Sequence, residues 1–315
     1  MFYFLALLPG VFWGILPPVA KKIGGTPSQQ TTGISINLML LGIVFLVIDL
    51  SMGIDYFVGH GTMFLIVFCS GIFWFFGNFF QLSAIKLSSV IKTMPSNITG
   101  QILITSSISG MTFHWLSNPS YQIPLGIFFL CLMSFGVVLT SLGKKEKKKK
   151  KNSSFLFYFF NFLSIIFYSS YALLPEFTLK LISNESWMNF FDAGCLFPQS
   201  LGIFLTCIIF TSIISFKKNK NIKQLPLCNQ KSYFNIITGC FQSIANLIFL
   251  VVIANLGAVI ASPFSSLSAI FVSFILGYVW LKEKKEKKYL FFSIIGLMII
   301  FLSVMFLFLV TSIFF

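Results

Sequence analysis

A chain of 315 residues that is 57% apolar and only 10% charged is not an ordinary soluble domain, in which about a quarter of residues carry charge. The formal net charge of +14 comes from lysine alone, because the sequence contains no arginine. Those lysines sit between apolar runs, which excludes nucleic acid as the partner and points to a membrane.

Runs of the roughly 20 apolar residues that span hydrocarbon recur along the whole chain. They are too long and continuous for barrel strands, and helices satisfy their own backbone in lipid. The runs predict ten helices, at 2–20, 31–51, 62–84, 89–112, 121–142, 154–174, 190–215, 233–254, 257–281 and 289–313. The fold class is an all-α membrane protein.

The first span carries Trp13 and lacks a basic leader; Lys21 and Lys22 follow its apolar run, so it is expected to be retained. In the third span, Trp74, Asn78 and Gln81 lie at i, i+4 and i+7, one stripe of a helix. The fourth holds a second stripe, Thr93, Asn97, Gln101 and Thr105, with Pro95 inside it. The fifth ends at a lysine-rich run, residues 143–154, too self-repelling to fold. This run reads as a basic cytoplasmic linker between two five-helix repeats, 1–142 and 155–315. Span eight carries Gln242, Asn246 and Phe249, and span nine carries Ser262, Pro263, Ser265, Ser266 and Ser273. Pro95 and Pro263 are expected to break or kink their helices.

The lysines gather after odd-numbered spans: Lys21 and Lys22, Lys86 and Lys92, Lys144 to Lys151, Lys217 to Lys231, and Lys282 to Lys288. Lysine excess marks the cytoplasmic face, so both termini are expected outside a cell membrane, with the basic loops inside and near anionic lipid headgroups. Lys92 is expected to snorkel to that surface. The acids Asp49, Asp55, Glu176, Glu185 and Asp192 fall on or near the opposite side, and none is placed mid-span.

One stretch occurs twice. Gly71 to Asn78 returns, without a gap, as Gly239 to Asn246, matching Gly71 with Gly239, Phe73 with Phe241 and Asn78 with Asn246. The same register sets Pro95 on Pro263. Phe12 to Pro18 resembles Phe167 to Pro175 more loosely. An odd number of spans in each half sets the copies in opposite orientations, and matching Pro-interrupted segments in two such halves point to a transporter's binding site.

The amides and hydroxyls on these stripes donate and accept without charge, and tryptophan adds a flat apolar face. Together they suit a neutral polyhydroxy solute bound by Trp13, Trp74, Asn78, Gln81, Thr93, Asn97, Gln101, Gln242, Asn246, Ser262 and Ser265. Each has a second reading. Polar side chains in membrane helices also bond neighbouring helices, at about 0.6 kcal/mol on average, and the tryptophans also serve as interface anchors. No hydrolase, zinc or nucleotide-binding motif occurs, and His60 and His114 stand far apart. The six cysteines, without CxxC spacing, read as packing residues. No enzyme activity, cofactor or metal is expected.

At four places the chain resembles the glucose/ribose porter (glucose uptake) family of the drug/metabolite transporter superfamily. These are Phe4 to Gly14; Gln81-Leu82 with Thr93-Met-Pro-Ser-Asn-Ile-Thr-Gly-Gln-Ile-Leu103; Gly136 to Leu142; and Ala245 to Leu247 with Ser262 to Lys282. The resemblance implies ten transmembrane helices as two inverted repeats and proton-coupled uptake of a sugar such as glucose, with Gln81, Thr93, Pro95 and Gln101 at the site. The chain departs from the family pattern in Asn78, where members carry Gln, in Ala269, where a second-half Gln stands, and in a Thr99-Gly100 pair one residue late. The other readings open at this point are an exporter or exchanger of amino acids, nucleotide sugars or other metabolites on the same fold, and a membrane scaffold that transports nothing.

Overall fold

The structure, a computed structural model, describes residues 5–51, 61–109, 119–142, 151–181, 196–217, 226–256, 258–283 and 285–312. The run 143–150, both histidines, Asp55, Glu185 and Asp192 lie outside the described residues. The ten long helices are α1 (Leu8–Ile23), α2 (Pro27–Ser51), α3 (Gly61–Leu87), α4 (Val90–Ser109), α5 (Pro119–Ser141), α6 (Lys151–Leu181), α7 (Leu196–Lys217), α8 (Ile236–Leu256), α9 (Ala258–Val279) and α10 (Lys287–Ser312). No strand occurs among the described residues.

Local chemistry sets several of these ends. Helix α1 closes at Gly24, whose φ of 81° suits glycine and whose N–H donates to Ala20 O at 3.0 Å. Two residues later Thr26 and Gln29 form a reciprocal capping box: Thr26 N–H donates to Gln29 Oε1 at 2.8 Å, and Gln29 N–H to Thr26 Oγ1 at 3.3 Å. Pro27 then opens α2, where its missing N–H costs nothing. Asn229 caps a one-turn helix, Gln230–Phe234, that leads into α8. Pro95 and Pro263 correct an expectation. Each lies inside a helix that continues past it, so neither breaks its helix; each removes one backbone donor.

Seven helices, α2, α3, α5, α6, α7, α9 and α10, are long and apolar enough to cross a membrane. Helix α1, at 16 residues, falls short, and α4 carries Lys92, Thr93, Asn97 and Gln101 among its apolar residues. The surface inverts the usual distribution. Phe155, Leu65, Ile209 and Phe291 are exposed, whereas Asn78, Asn97, Thr93 and Ser265 are buried. Such an exterior suits hydrocarbon rather than water, and the chain is a multi-pass membrane protein.

The helices do not pack in chain order. Helix α6 lies against α3 and α4, α1 lies against α8 and α9, and α2 packs on both α7 and α8. Helices α4 and α9 meet each other, as do α5 and α10. Several crossings have no room for a β-carbon. Gly10 faces the backbone carbonyl of Ser265, Gly71 that of Gln199 and Gly202 that of Phe68, while Gly136 and Gly296 face each other's carbonyls. Small residues of this kind let helices approach closely in lipid. A cluster of rings fills the α3–α6–α7 interface, with Phe76 centred 5.3 Å from Phe167 and 5.5 Å from Phe210.

One end of the bundle is basic. There Glu283, in the α9–α10 turn, accepts from Lys21 Nζ at 2.6 Å and from the N–H groups of Val90 and Ile91 at 3.0 Å each. A single carboxylate thus caps α4 from a distance and holds the last turn of α1. Lys285 donates to Thr140 O at 2.6 Å and Ser293 Oγ at 2.7 Å. Lys92 lies over the rings of Phe157 and Tyr158, at 4.7 and 5.4 Å.

Replacing Glu283 by Ala is expected to cost about 1 kcal/mol, the worth of a lost cap. Lys21→Ala is expected to cost a few tenths, because its ammonium is one-third exposed. Equilibrium unfolding in detergent would measure both, and the reverse order would remove the capping assignment. Burial, and then the nearby charge of Lys92, lower Lys285 to about 8. The unfolded chain therefore binds more protons than the folded one between about pH 8 and 10.5, so stability rises with pH across that window. Thermal melts at pH 7.5 and 9.5 should show a rise in wild type that Lys285→Met loses.

Candidate functional site

The polar stripes converge through α3, α4 and α6. Asn97, on α4, is fully buried, and its Oδ1 accepts from Gln81 Nε2 of α3 at 2.9 Å and from Gln101 Nε2 one turn along at 2.7 Å. Its Nδ2 donates to Asn161 of α6, reaching Oδ1 at 3.1 Å and the backbone carbonyl at 3.4 Å. Asn161 Nδ2 in turn donates to Ser96 Oγ at 3.2 Å. Three of the sequence-predicted residues, Gln81, Asn97 and Gln101, are therefore brought together.

Asn78 stands one helical turn before Gln81 on the same face. It is 1% exposed, and neither Nδ2 nor Oδ1 has a hydrogen-bond partner among the described residues. A buried amide in that state costs about 1–3 kcal/mol per unsatisfied group. The neighbouring Trp74 is buried edge-on against Tyr168 of α6, at 6.3 Å between ring centres.

A second group forms on α8, α9 and α1. Gln242 Nε2 donates to Asn246 Oδ1 at 2.7 Å, which leaves Asn246 Nδ2 buried and unpartnered. The Trp13 ring lies 4.8 Å from Phe249, edge to face, and its Nε1 is likewise buried without a partner. Ser265 Oγ donates to Ala6 O at 2.6 Å and Ser268 Oγ to Leu7 O at 2.6 Å, pinning α9 to the start of α1. Contacts of α1 with α3, and of α4 with α9, join this group to the first.

Not every predicted residue has a free hydroxyl to offer. Thr93 Oγ1 donates back to Ser89 O at 2.7 Å, as helical threonines often do, so its one hydrogen is already used and its oxygen can only accept. Ser265 is occupied by α1, and Ser262 is half-buried. Sequence reasoning missed Asn161, Ser96 and Glu283. Asn161 is the one amide between Ser154 and Leu174 of α6, and an isolated amide in an apolar span is a signal that could have been followed. Glu283 is concealed in a run of lysines.

The arrangement offers uncharged donors and acceptors beside aromatic faces, with several polar atoms left unmatched. That chemistry recognises a neutral hydroxyl-bearing molecule. The network and the orphan amide respond oppositely to mutation. Asn78→Leu is expected to raise the stability of the ligand-free protein by about 1–3 kcal/mol, whereas Asn97→Leu, which strips partners from Gln81, Gln101 and Asn161, is expected to lower it. Denaturation in detergent reads both signs, and a loss of stability in Asn78→Leu would show that its amide is matched.

Comparisons with known proteins agree on one family. Residues 4–310 match the family described as Sugar transport protein. A Listeria monocytogenes protein named for sugar uptake is 31% identical over 309 residues, covering 97% of this chain and 98% of its own. A Priestia megaterium protein named for glucose uptake is 30% identical over 309 residues, covering 95% and 96%. An Enterococcus faecalis protein named for sugar uptake is 28% identical over 307 residues, covering 95% and 96%. A solved crystal structure aligns with 99% of this chain and 96% of its own at a TM-score of 0.55 and 12% identity, a likeness of fold alone.

Proposed function

The chain belongs to the Sugar transport protein family, and on that premise we propose that it is a secondary carrier that takes up a sugar such as glucose. Its relatives named for sugar and glucose uptake support that substrate, and the carrying observation is Asn78. An amide buried with both polar atoms unmatched, one turn from a cluster of three further amides, is a place that a hydroxyl-rich solute would complete. The binding residues are then Trp13, Asn78, Gln81, Gln101 and Asn246, with Asn97 holding the glutamines. Trp74 and Gln242 stand behind them, and Thr93, Ser262 and Ser265 serve the helix frame around the two proline-bearing segments.

Two inverted five-helix repeats, 1–142 and 155–315 across the linker 143–154, account for the packing. Exchanging each helix for its counterpart five places on turns α3–α6 into α8–α1, α4–α6 into α9–α1 and α3–α7 into α8–α2, all of which occur. Side chains follow the same rule. The Phe73–Phe167 ring pair, at 5.9 Å, corresponds to Phe241–Phe12, at 6.4 Å. The Asn97 bond to the Asn161 carbonyl corresponds to the Ser265 bond to the Ala6 carbonyl. Because α1 and α6 each pack on the other half, the moving units would be α3, α4 and α6 against α1, α8 and α9, working by alternating access. With the lysine-rich end cytoplasmic, the Lys21–Glu283 pair lies at the inner mouth and both termini lie outside. Protons are the coupling ion in this reading.

Purified protein in liposomes is expected to accumulate labelled glucose or ribose, faster with an inward proton gradient. Asn78→Ala and Gln101→Ala should each lower uptake by about tenfold or more at low sugar, the scale of one lost buried hydrogen bond. Failure to move any sugar or polyol would overturn the assignment.

A further inference from the structure

We infer that Asn161 is a specificity-setting residue that fixes which way the Gln81 and Gln101 amides face, so that the Oε1 of each reads a hydroxyl hydrogen of the sugar. The inference rests on the sugar-binding reading above and specifies which atoms do the reading.

The direction of every bond in the network follows from backbone carbonyls, which can only accept. Ser96 has one hydroxyl hydrogen, and it goes to the carbonyls of Lys92 at 3.1 Å and Thr93 at 3.0 Å. Its oxygen can therefore only accept from Asn161, so Nδ2 of Asn161 points at Ser96 and Oδ1 points at Asn97. Asn97 must answer with Nδ2, and the Asn161 carbonyl at 3.4 Å demands the same orientation. Its Oδ1 is then turned toward Gln81 and Gln101, both of which must donate through Nε2. The polarity of an amide is otherwise free to reverse by a half-turn; here it is set three residues away. Each glutamine then keeps its second Nε2–H and its Oε1, in places that the network fixes, and no hydrogen bond among the described residues reaches either oxygen. A sugar hydroxyl meeting either oxygen has to donate.

The second group does not have this property. Among the described residues Gln242 and Asn246 bond only to each other, with no carbonyl to set their direction, and Trp13 Nε1 is a donor by constitution. Gln81 and Gln101 thus differ from Gln242 and Asn246 in having their amides locked in one orientation.

Fluorinated sugars separate these cases, because fluorine can replace an accepting oxygen but cannot donate. In liposome uptake with single-site deoxy- and fluoroglucoses, two ring positions are expected at which the fluoro sugar is as poor as the deoxy sugar, each down about tenfold from glucose. Asn161→Ala leaves only the 3.4 Å carbonyl contact to orient Asn97. It should reduce the hydroxyl-over-fluorine preference to about threefold or less while glucose itself is still carried. Asn161→Asp, which keeps an acceptor toward Asn97, should retain the preference. If Asn161→Ala does not fold, the wild-type panel decides alone. Fluoro sugars carried as well as glucose at every position would overturn the inference and leave sugar transport standing, as would an unchanged preference in a folded Asn161→Ala. Absence of uptake for every sugar would overturn both.

Discussion

Hydrocarbon supplies no hydrogen-bond partner, so a polar side chain carried into this bundle has to be answered by another part of the chain. Most are. Serines and threonines such as Ser83, Thr105 and Thr211 return their protons to a carbonyl of the preceding turn. Others reach across a crossing, as Ser164 does to Gly77 O at 2.8 Å. Against that background the exceptions carry meaning. Asn78, the Nδ2 of Asn246 and the Trp13 nitrogen are buried and unanswered among the described residues, as are the hydroxyls of Thr31, Thr99, Ser169 and Ser232 and the Oδ1 of Asn235, and among these Asn78 alone has both atoms of its amide unmatched.

The same scarcity of partners explains the basic end. At the start of helix α4 the Ser89 hydroxyl accepts from the Lys92 N–H at 3.3 Å, which leaves the N–H groups of Val90 and Ile91 to be answered. The chain brings a carboxylate from the α9–α10 turn to do it. That carboxylate also takes the ammonium of Lys21, so three distant parts of the sequence share one charge. In Gly277 the absence of a side chain leaves room for it: a β-carbon there would lie 3.4 Å from Glu283 Oε2 and closer still to Ile91.

Much of the architecture was legible because it is written in long apolar runs. The span read as 62–84 is Gly61–Leu87, and that read as 89–112 is Val90–Ser109. Helix α6 runs beyond the span at 154–174 because polar residues at its ends can continue a helix outside the lipid. The two stripes that carry Gln81 and the Asn97–Gln101 pair were also visible, since helical spacing alone puts Asn97 and Gln101 on one face. What could not be read was direction and partnership. Asn161 has no polar counterpart in the other half, where Ala6 stands and offers only its carbonyl, so comparing the copies hid it. Pro95 and Pro263 suggested interruption because a missing donor usually disrupts an isolated helix; in a bundle the helix continues past them, since neighbouring groups can answer the freed carbonyl.

The exchange of first helices has a consequence for how such a chain comes into being. Helix α1 is carved, through Gly10 and Gly14, to fit α9, which is made last but one. A newly inserted α1 therefore waits in lipid, with its close-approach surface bare, until nearly the entire protein has been synthesised. A chain severed between α5 and α6 would leave α1 without α8 and α9, and α6 without α3 and α4.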